Sequence, residues 1–134
     1  MLRRVLLAPL VTSVLLVGPC FAHHSFAMYD QTRTMTLTGT ITDWQWTNPH
    51  TELYLFVQAV DGKAFATPAV WRIEGQSPTV MRDELKIRRD QFKPGDKVTI
   101  VIHPLRNGSP GGSFVSATIS SGRTPAAPPR LRSP

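Results

Sequence analysis

The chain of 134 residues has a single cysteine, Cys20, and so cannot close an internal disulfide. It also lacks an apolar run long enough to span a bilayer. The one candidate, Val5 to Val17, is thirteen residues interrupted by Pro9, or roughly 20 Å of helix against a hydrocarbon core of about 30 Å. Its nine acidic residues are scattered, with no pair at a spacing that one strand would bring onto one face for acid and base work. Ser25 beside His24 is no catalytic triad, because sequence neighbours rarely point at each other and no third group is evident. The loop Gly108 to Gly112 lacks the strand-to-helix context of a phosphate cradle.

The N-terminal run has the order of a secretory signal instead. Arg3 and Arg4 supply the positive start, Val5 to Val17 the apolar segment, and Gly18-Pro19 breaks any helix before a cleavage site. Cys20 and Ala22 stand at the small-residue positions −3 and −1, which places the cut after Ala22 and the mature protein in the periplasm or outside the cell. Pro19 directly before Cys20 departs from a lipoprotein motif. Residues 1–22 are therefore read as a signal peptide, and the mature chain has no cysteine. Small secreted domains often rely on disulfides, so this one draws its stability from a single hydrophobic core.

Cleavage also reduces the basic balance. The whole chain carries a formal charge of +6; without Arg3 and Arg4, thirteen Lys and Arg remain against nine Asp and Glu, a net +4. Arg130 and Arg132 lie in a segment, Thr124 to Pro134, that has four prolines, no hydrophobic period and no acid. Such a segment cannot bury enough surface to offset its ordering entropy, so residues 123–134 read as a disordered Pro/Arg-rich tail. The folded part is then near +2. Nucleic-acid binding needs basic residues clustered on one face, and neither this charge nor export supports it.

Residues 23–122 carry the pattern of an all-β domain with small α content. Met35 to Trp46 is rich in Thr, Ile and Trp and reads as a long strand bent at Gly39. After the turn Thr47-Asn48-Pro49, His50 to Gln58 alternates with Leu53, Leu55 and Val57 on one face and His50, Glu52, Tyr54 and Phe56 on the other. Asp61-Gly62 turns the chain, and Val70 to Glu74 makes a short third strand. Ser77 then caps a short helix with Pro78 at its first position, an apolar stripe of Val80, Met81 and Leu85, and Lys86, Arg88 and Arg89 at its negative end. Lys97 to His103 alternates Val98, Ile100 and Ile102 inward, and Phe114 to Ile119 does the same with Val115, Ala117 and Ile119. Three strands, a helix and two strands is the order of a five-stranded OB-like Greek-key barrel with one short helix between strands 3 and 4.

The same residues resemble a family of short exported bacterial proteins, domain of unknown function 6152. The resemblance runs over roughly residues 22–122. It rests on Ala22-His23-His24-Ser25-Phe26, Trp46-Thr47-Asn48-Pro49-His50, Ile73-Glu74-Gly75-Gln76-Ser77-Pro78, Leu85 to Arg89, Lys93-Pro94-Gly95-Asp96 and Arg106-Asn107-Gly108. It implies export and a small β fold and brings no known activity. The family pattern has a glycine at the end of the helix and an aromatic after it, where Lys86 and Ile87 stand here.

Cleavage after Ala22 makes His23 the first residue, and its free amine and ring Nδ1 can chelate one metal ion. A second imidazole in reach completes a three-nitrogen histidine brace, which suits Cu(II) and its preference for tetragonal nitrogen ligation. His24 cannot readily share a small chelate with its neighbour, so the third nitrogen comes more naturally from His50 or His103, each held at a strand end beside a proline. In OB topology strand 4 pairs with strand 1, which brings His103 near the N-terminal segment; the Asn48-Pro49-His50 motif of the family favours His50. The plainer reading is that histidines near a mature N-terminus are exposed and that His50 and His103 each bond a backbone group.

Trp44, Trp46 and Tyr54 are candidate ligand contacts, because rings with a polar edge suit a sugar or peptide. In so small a barrel, Trp44, Trp46 and Trp71 equally serve as core. The sequence thus points to an extracytoplasmic binding or accessory protein of unknown ligand. The alternatives are a periplasmic copper-binding protein using His23, and a structural domain that docks a partner by a sheet edge. No enzyme is expected; a brace-type copper oxidase is the one enzymatic possibility the residues leave.

Mass spectrometry of the exported protein should show a chain beginning at His23. An intact Met1, or a lipid on Cys20, would overturn the processing assignment and the brace with it.

Overall fold

The computed structural model describes residues 26–120. The expected signal peptide, His23, His24 and the expected Pro/Arg-rich tail lie outside the described residues. A 3-10 turn, Phe26–Met28, precedes five strands: β1 (Met35–Gln45), β2 (Glu52–Val60), β3 (Lys63–Glu74), β4 (Lys97–Pro104) and β5 (Gly111–Ile119). One helix, α1 (Pro78–Asp83), lies between β3 and β4. The protein is therefore mostly β, a five-stranded mixed sheet in which hydrogen bonding runs in a ring, β1-β2-β3-β5-β4 and back to β1. No helix among the described residues is long and apolar enough to cross a membrane.

Local sequence accounts for the antiparallel part. Asp61 and Gly62, with φ of 50° and 76°, make the two-residue turn whose positive dihedrals match the twist of the flanking strands, so Val60 pairs with Lys63. β1 is long enough to pair with β2 along its length and with β4 over Met35 to Thr40. The bend expected at Gly39 coincides with a register shift between Thr38 and Gly39. A Cβ on Gly39 would lie 2.2 Å from the Phe56 carbonyl oxygen, so only glycine lets the two backbones pass this closely.

The core is one cluster fed by alternate residues of every strand, with Leu37, Ile41, Leu55, Val57, Ile100 and Ile102 fully buried. Leu53 and Val98 join it as their alternation requires. On β5 the alternation is interrupted. A bulge opposite Val101 and Ile102 leaves Val115 as the extra residue, half-buried, and turns Phe114 inward instead. Ile119, expected inside, pairs with buried Val98 but is 41% exposed, because β5 pairs with β3 only through Gly111 to Ser113 and its far end has no second neighbour.

Two other expectations are corrected. The third strand begins at Lys63, seven residues before the expected Val70. Over Lys63 to Ala69 it pairs with β2 alone, and on such an edge Pro68, which has no N–H to donate, is tolerated. The helix ends at Asp83, so Leu85 lies past it and is 40% exposed. Lys86 there adopts φ of 57°, the left-handed conformation that favours glycine, and its Nζ donates to the Asp83 carbonyl at 2.6 Å. That turn sends Ile87 and Phe92 back into the core.

Two substitutions of opposite sign test this packing by chemical denaturation. Ile100→Ala should cost about 2 to 5 kcal/mol through lost contacts and a residual cavity; a loss below about 0.5 kcal/mol would mean the register of β4 is wrong. Lys86→Gly should gain about 0.5 kcal/mol, since relief of a left-handed side chain exceeds the added flexibility of glycine.

Candidate functional site

Register fixes a polar row across one end of the sheet. Gln45 of β1 pairs with Glu52 of β2, Glu52 with Glu74 of β3, Glu74 with Ser113 of β5, and Ser113 with His103 of β4. Directly paired residues share a face, and the alternate positions Leu53 and Ile73 are in the core, so the row faces outward.

Two carboxylates stand opposite each other in the middle of this row. Unscreened, they would repel. Each is instead covered by a tyrosine hydroxyl and a nitrogen base. The Tyr54 hydroxyl donates to Glu52 Oε2 at 2.7 Å, and an Arg72 guanidinium nitrogen donates to Glu52 Oε1. The Tyr29 hydroxyl donates to Glu74 Oε2 at 2.5 Å, and His50 Nδ1 bonds Glu74 Oε1. The Arg72 hydrogen bond, aided by that from Tyr54, holds the Glu52 carboxyl below its ordinary range against the opposing effect of burial. Burial, then the bond to Glu74, pushes the Tyr29 hydroxyl well above the usual phenol range. The bond to Glu52 raises Tyr54 in the same way, and Glu52 raises Arg72.

The loop between β1 and β2 brings His50 to this pair. Its Asn48–Pro49 peptide is cis, the Thr47 hydroxyl donates to the His50 carbonyl at 3.1 Å, and fully buried Thr51 anchors the loop by donating its N–H and its hydroxyl to the Gln76 carbonyl. The result is a cleft of about 330 Å³ lined by Met28, Thr47, Asn48, Pro49, His50, Glu52, Arg72 and Glu74. With Nδ1 given to a carboxylate, the neutral imidazole keeps Nε2 as its lone-pair nitrogen, the arrangement of histidines that bind metals or accept protons.

A strap formed by residues 26–33 completes this end of the molecule. Tyr29 bridges Leu105, Asp30 N donates to the Pro104 carbonyl at 2.8 Å, and Arg106 donates to the carbonyls of Met28 and Ala27. His103 meets the end of the strap, its Nδ1 at 2.7 Å from the Arg33 carbonyl. The expected proximity of His103 to the segment before β1 is therefore present. His50 and His103 are not brought together: Glu74, which holds His50, and His103 are two strands apart, about 10 Å at the usual strand spacing. No group of three or more His, Cys, Asp or Glu placed to hold a metal occurs among the described residues.

Of the other candidates, Tyr54 belongs to the carboxylate network. Trp44 and Trp46 do not line the cleft. Trp44 stands edge-on to Phe92 at 5.2 Å and to Trp46 at 5.6 Å, donates its indole N–H to the Arg89 carbonyl, and packs with Trp46 against the core. Sequence reasoning passed over Tyr29, Arg72 and Glu74. The last two were findable: with Trp71 and Ile73 inward, Arg72 and Glu74 must share the outer face with Glu52 and Tyr54 once β2 and β3 are paired.

The model of a family of unknown function (DUF6152) matches residues 11–114. No curated protein and no solved structure matches the chain.

Because Glu52 titrates lower folded than unfolded, its contribution to stability is present above the ordinary glutamate value and is lost as pH falls through the folded value. Arg72 is more than half exposed, so that contribution is small. Carboxyl NMR titration should place Glu52 below an ordinary glutamate and Arg72→Ala should move it upward; an unchanged midpoint would show that the pair does not form in solution.

Proposed function

The chain belongs to this family of unknown function, and we propose that it is an exported binding protein, an OB-like Greek-key barrel that takes a small polar ligand into the His50–Glu74 cleft. The ring order of the strands and the helix after β3 support the barrel. OB barrels take ligands on the face of strands 2 and 3 and in the loop between strands 1 and 2. The observation that carries the reading is that His50, Glu52, Arg72 and Glu74 converge in a cleft on that same face, bounded by Thr47, Asn48 and Pro49 of that same loop. Two carboxylates against one guanidinium favour a ligand that brings hydroxyl or amine donors.

The test is thermal unfolding of the exported protein against sugars, amino acids, polyamines and divalent ions. A ligand at about a hundred times its Kd stabilises by about 2.7 kcal/mol. Glu74→Gln and His50→Ala should remove that stabilisation, whereas Trp44→Phe, remote from the cleft, should keep it. Equal stabilisation of the wild type and both cleft variants would reject the site.

One observation favours copper as that ligand. Tyr29 ties the strap to the carboxylate that holds His50, and His23 precedes the described Phe26 by three residues, a span of about 10 Å when extended. The amine and ring of His23 with the carboxylate-oriented His50 would form the brace. Protein beginning at His23 should then bind one Cu(II) much more tightly than protein with an extra glycine before it, and His50→Ala should lose more affinity than His103→Ala. Equal affinity with and without the glycine would end the copper reading and leave the cleft to another polar ligand.

A further inference from the structure

A second cleft, of about 480 Å³, lies along the other half of the polar row, at Ser113 and His103. Its lining includes Phe26 and Gln31 of the strap, Gln76 before α1, His103 of β4, and Ser113 and Phe114 of β5. Its chemistry differs from that of the His50 cleft in three respects.

No Lys, Arg, Asp or Glu lines it among the described residues. A charged guest would find no counter-charge there, whereas a neutral guest needs none. Secondly, most of its polar side chains make no bond to another described residue. Ser113 is only 3% exposed and lines this cleft, yet its hydroxyl makes no hydrogen bond to another described residue, nor do the side-chain amides of Gln31 and Gln76. The contrast is Thr51, fully buried, whose hydroxyl is spent on the Gln76 carbonyl. The Ser113 hydroxyl is not among the fully buried unpaired atoms, so it reaches the cleft surface, where water or a ligand supplies its partner. His103 adds an acceptor of fixed sense, since Nδ1 donates to the Arg33 carbonyl and the neutral ring keeps Nε2 as its lone-pair nitrogen. Thirdly, one wall is a phenyl ring: Phe26 is 39% exposed, high for so large an apolar side chain, while Phe114 lines the cleft from β5 with its ring in the core.

We propose that this cleft is a second binding site, for a small uncharged molecule that combines an aromatic ring with an amide-type edge carrying both a donor and an acceptor. The two glutamine amides match such an edge in both senses, Ser113 donates or accepts as required, His103 accepts, and the ring lies against Phe26. The volume falls in the range of small-molecule sites. Nothing in this assignment depends on the His50 cleft or on copper.

Benzamide, benzoate and benzamidinium share one shape and differ in charge, so they separate this proposal from non-specific ring binding. In two-dimensional amide NMR of the isotope-labelled exported protein at pH 7.5, benzamide should shift the side-chain amides of Gln31 and Gln76 and the backbone amides of Ser113 to Val115, with a Kd of about 1 mM, usual for a fragment of its size. Benzoate and benzamidinium should not do so at the same concentration. Ser113→Ala should weaken benzamide by about three-fold or more, the value of one hydrogen bond, and Trp44→Phe, which lines neither cleft, should leave it unchanged. If Ser113→Ala does not fold, Gln31→Ala on the exposed strap should show the same loss. Equal shifts from all three compounds, no shift from benzamide, or shifts centred on Glu52 and Glu74 would overturn the proposal.

Discussion

The arrangement of this protein depends on one narrow contact, the three parallel residue pairs by which β5 joins β3. Every other strand pair is antiparallel and extends over six or more residues. Without Arg72 to Gly111, Ile73 to Gly112 and Glu74 to Ser113, the sheet would not close on itself. The contact demands unusually close backbones. A Cβ on Gly112 would lie 2.4 Å from the His103 carbonyl oxygen, and one on Gly111, at φ of 147°, would lie 2.8 Å from that of Arg72. Glycine is required at both places because the chain there is in contact with a neighbour on each side.

That closure also determines where the chemistry is. The junction aligns Glu74 with Ser113 and Ser113 with His103, extending the β2–β3 pair of carboxylates into a row that crosses four strands. One half of the row is charged and its groups are mutually satisfied; the other half is neutral and its groups are not. The division follows from the sequence of each strand: β2 and β3 present Glu52, Arg72 and Glu74 outward, whereas β5 presents the small residues that the close junction permits. A serine at the junction is both small enough to fit and polar enough to leave a hydroxyl at the surface of a second cleft.

The antiparallel half of the fold was legible because its determinants are local. Alternation identified the inward residues of β2 and β4, the Asp61-Gly62 pair located the hairpin, Gly39 located the bend, and Ser77-Pro78 located the start of α1. What was not legible depends on partners distant in sequence. The inward face of β5 changes at a bulge that only its pairing with β4 reveals, and the length of β3 was hidden by Pro68, acceptable only on a strand whose outer edge is unpaired. The candidate site divides in the same way. His50, Tyr54 and His103 were recognisable as residues at strand ends or on a face. The pairing of Glu52 with Glu74 was not, because acids scattered along a chain become neighbours only when register is known. Tyr29 had no signal at all: its role comes from a strap without regular periodicity.

Tyr29 nonetheless explains why that strap stays in place. Its side chain is nearly buried, and a phenol removed from water needs an acceptor, which Glu74 supplies. The same carboxylate needs a second donor to balance Glu52 across the strand pair, and His50 supplies it. The strap, the β1–β2 loop and β3 are thereby joined at one side chain. Detaching the strap would leave Glu74 half-satisfied, expose an apolar ring, and remove Met28 from one cleft and Phe26 and Gln31 from the other. The residues of the strap are thus part of both clefts, so those clefts are complete only where the strap has docked.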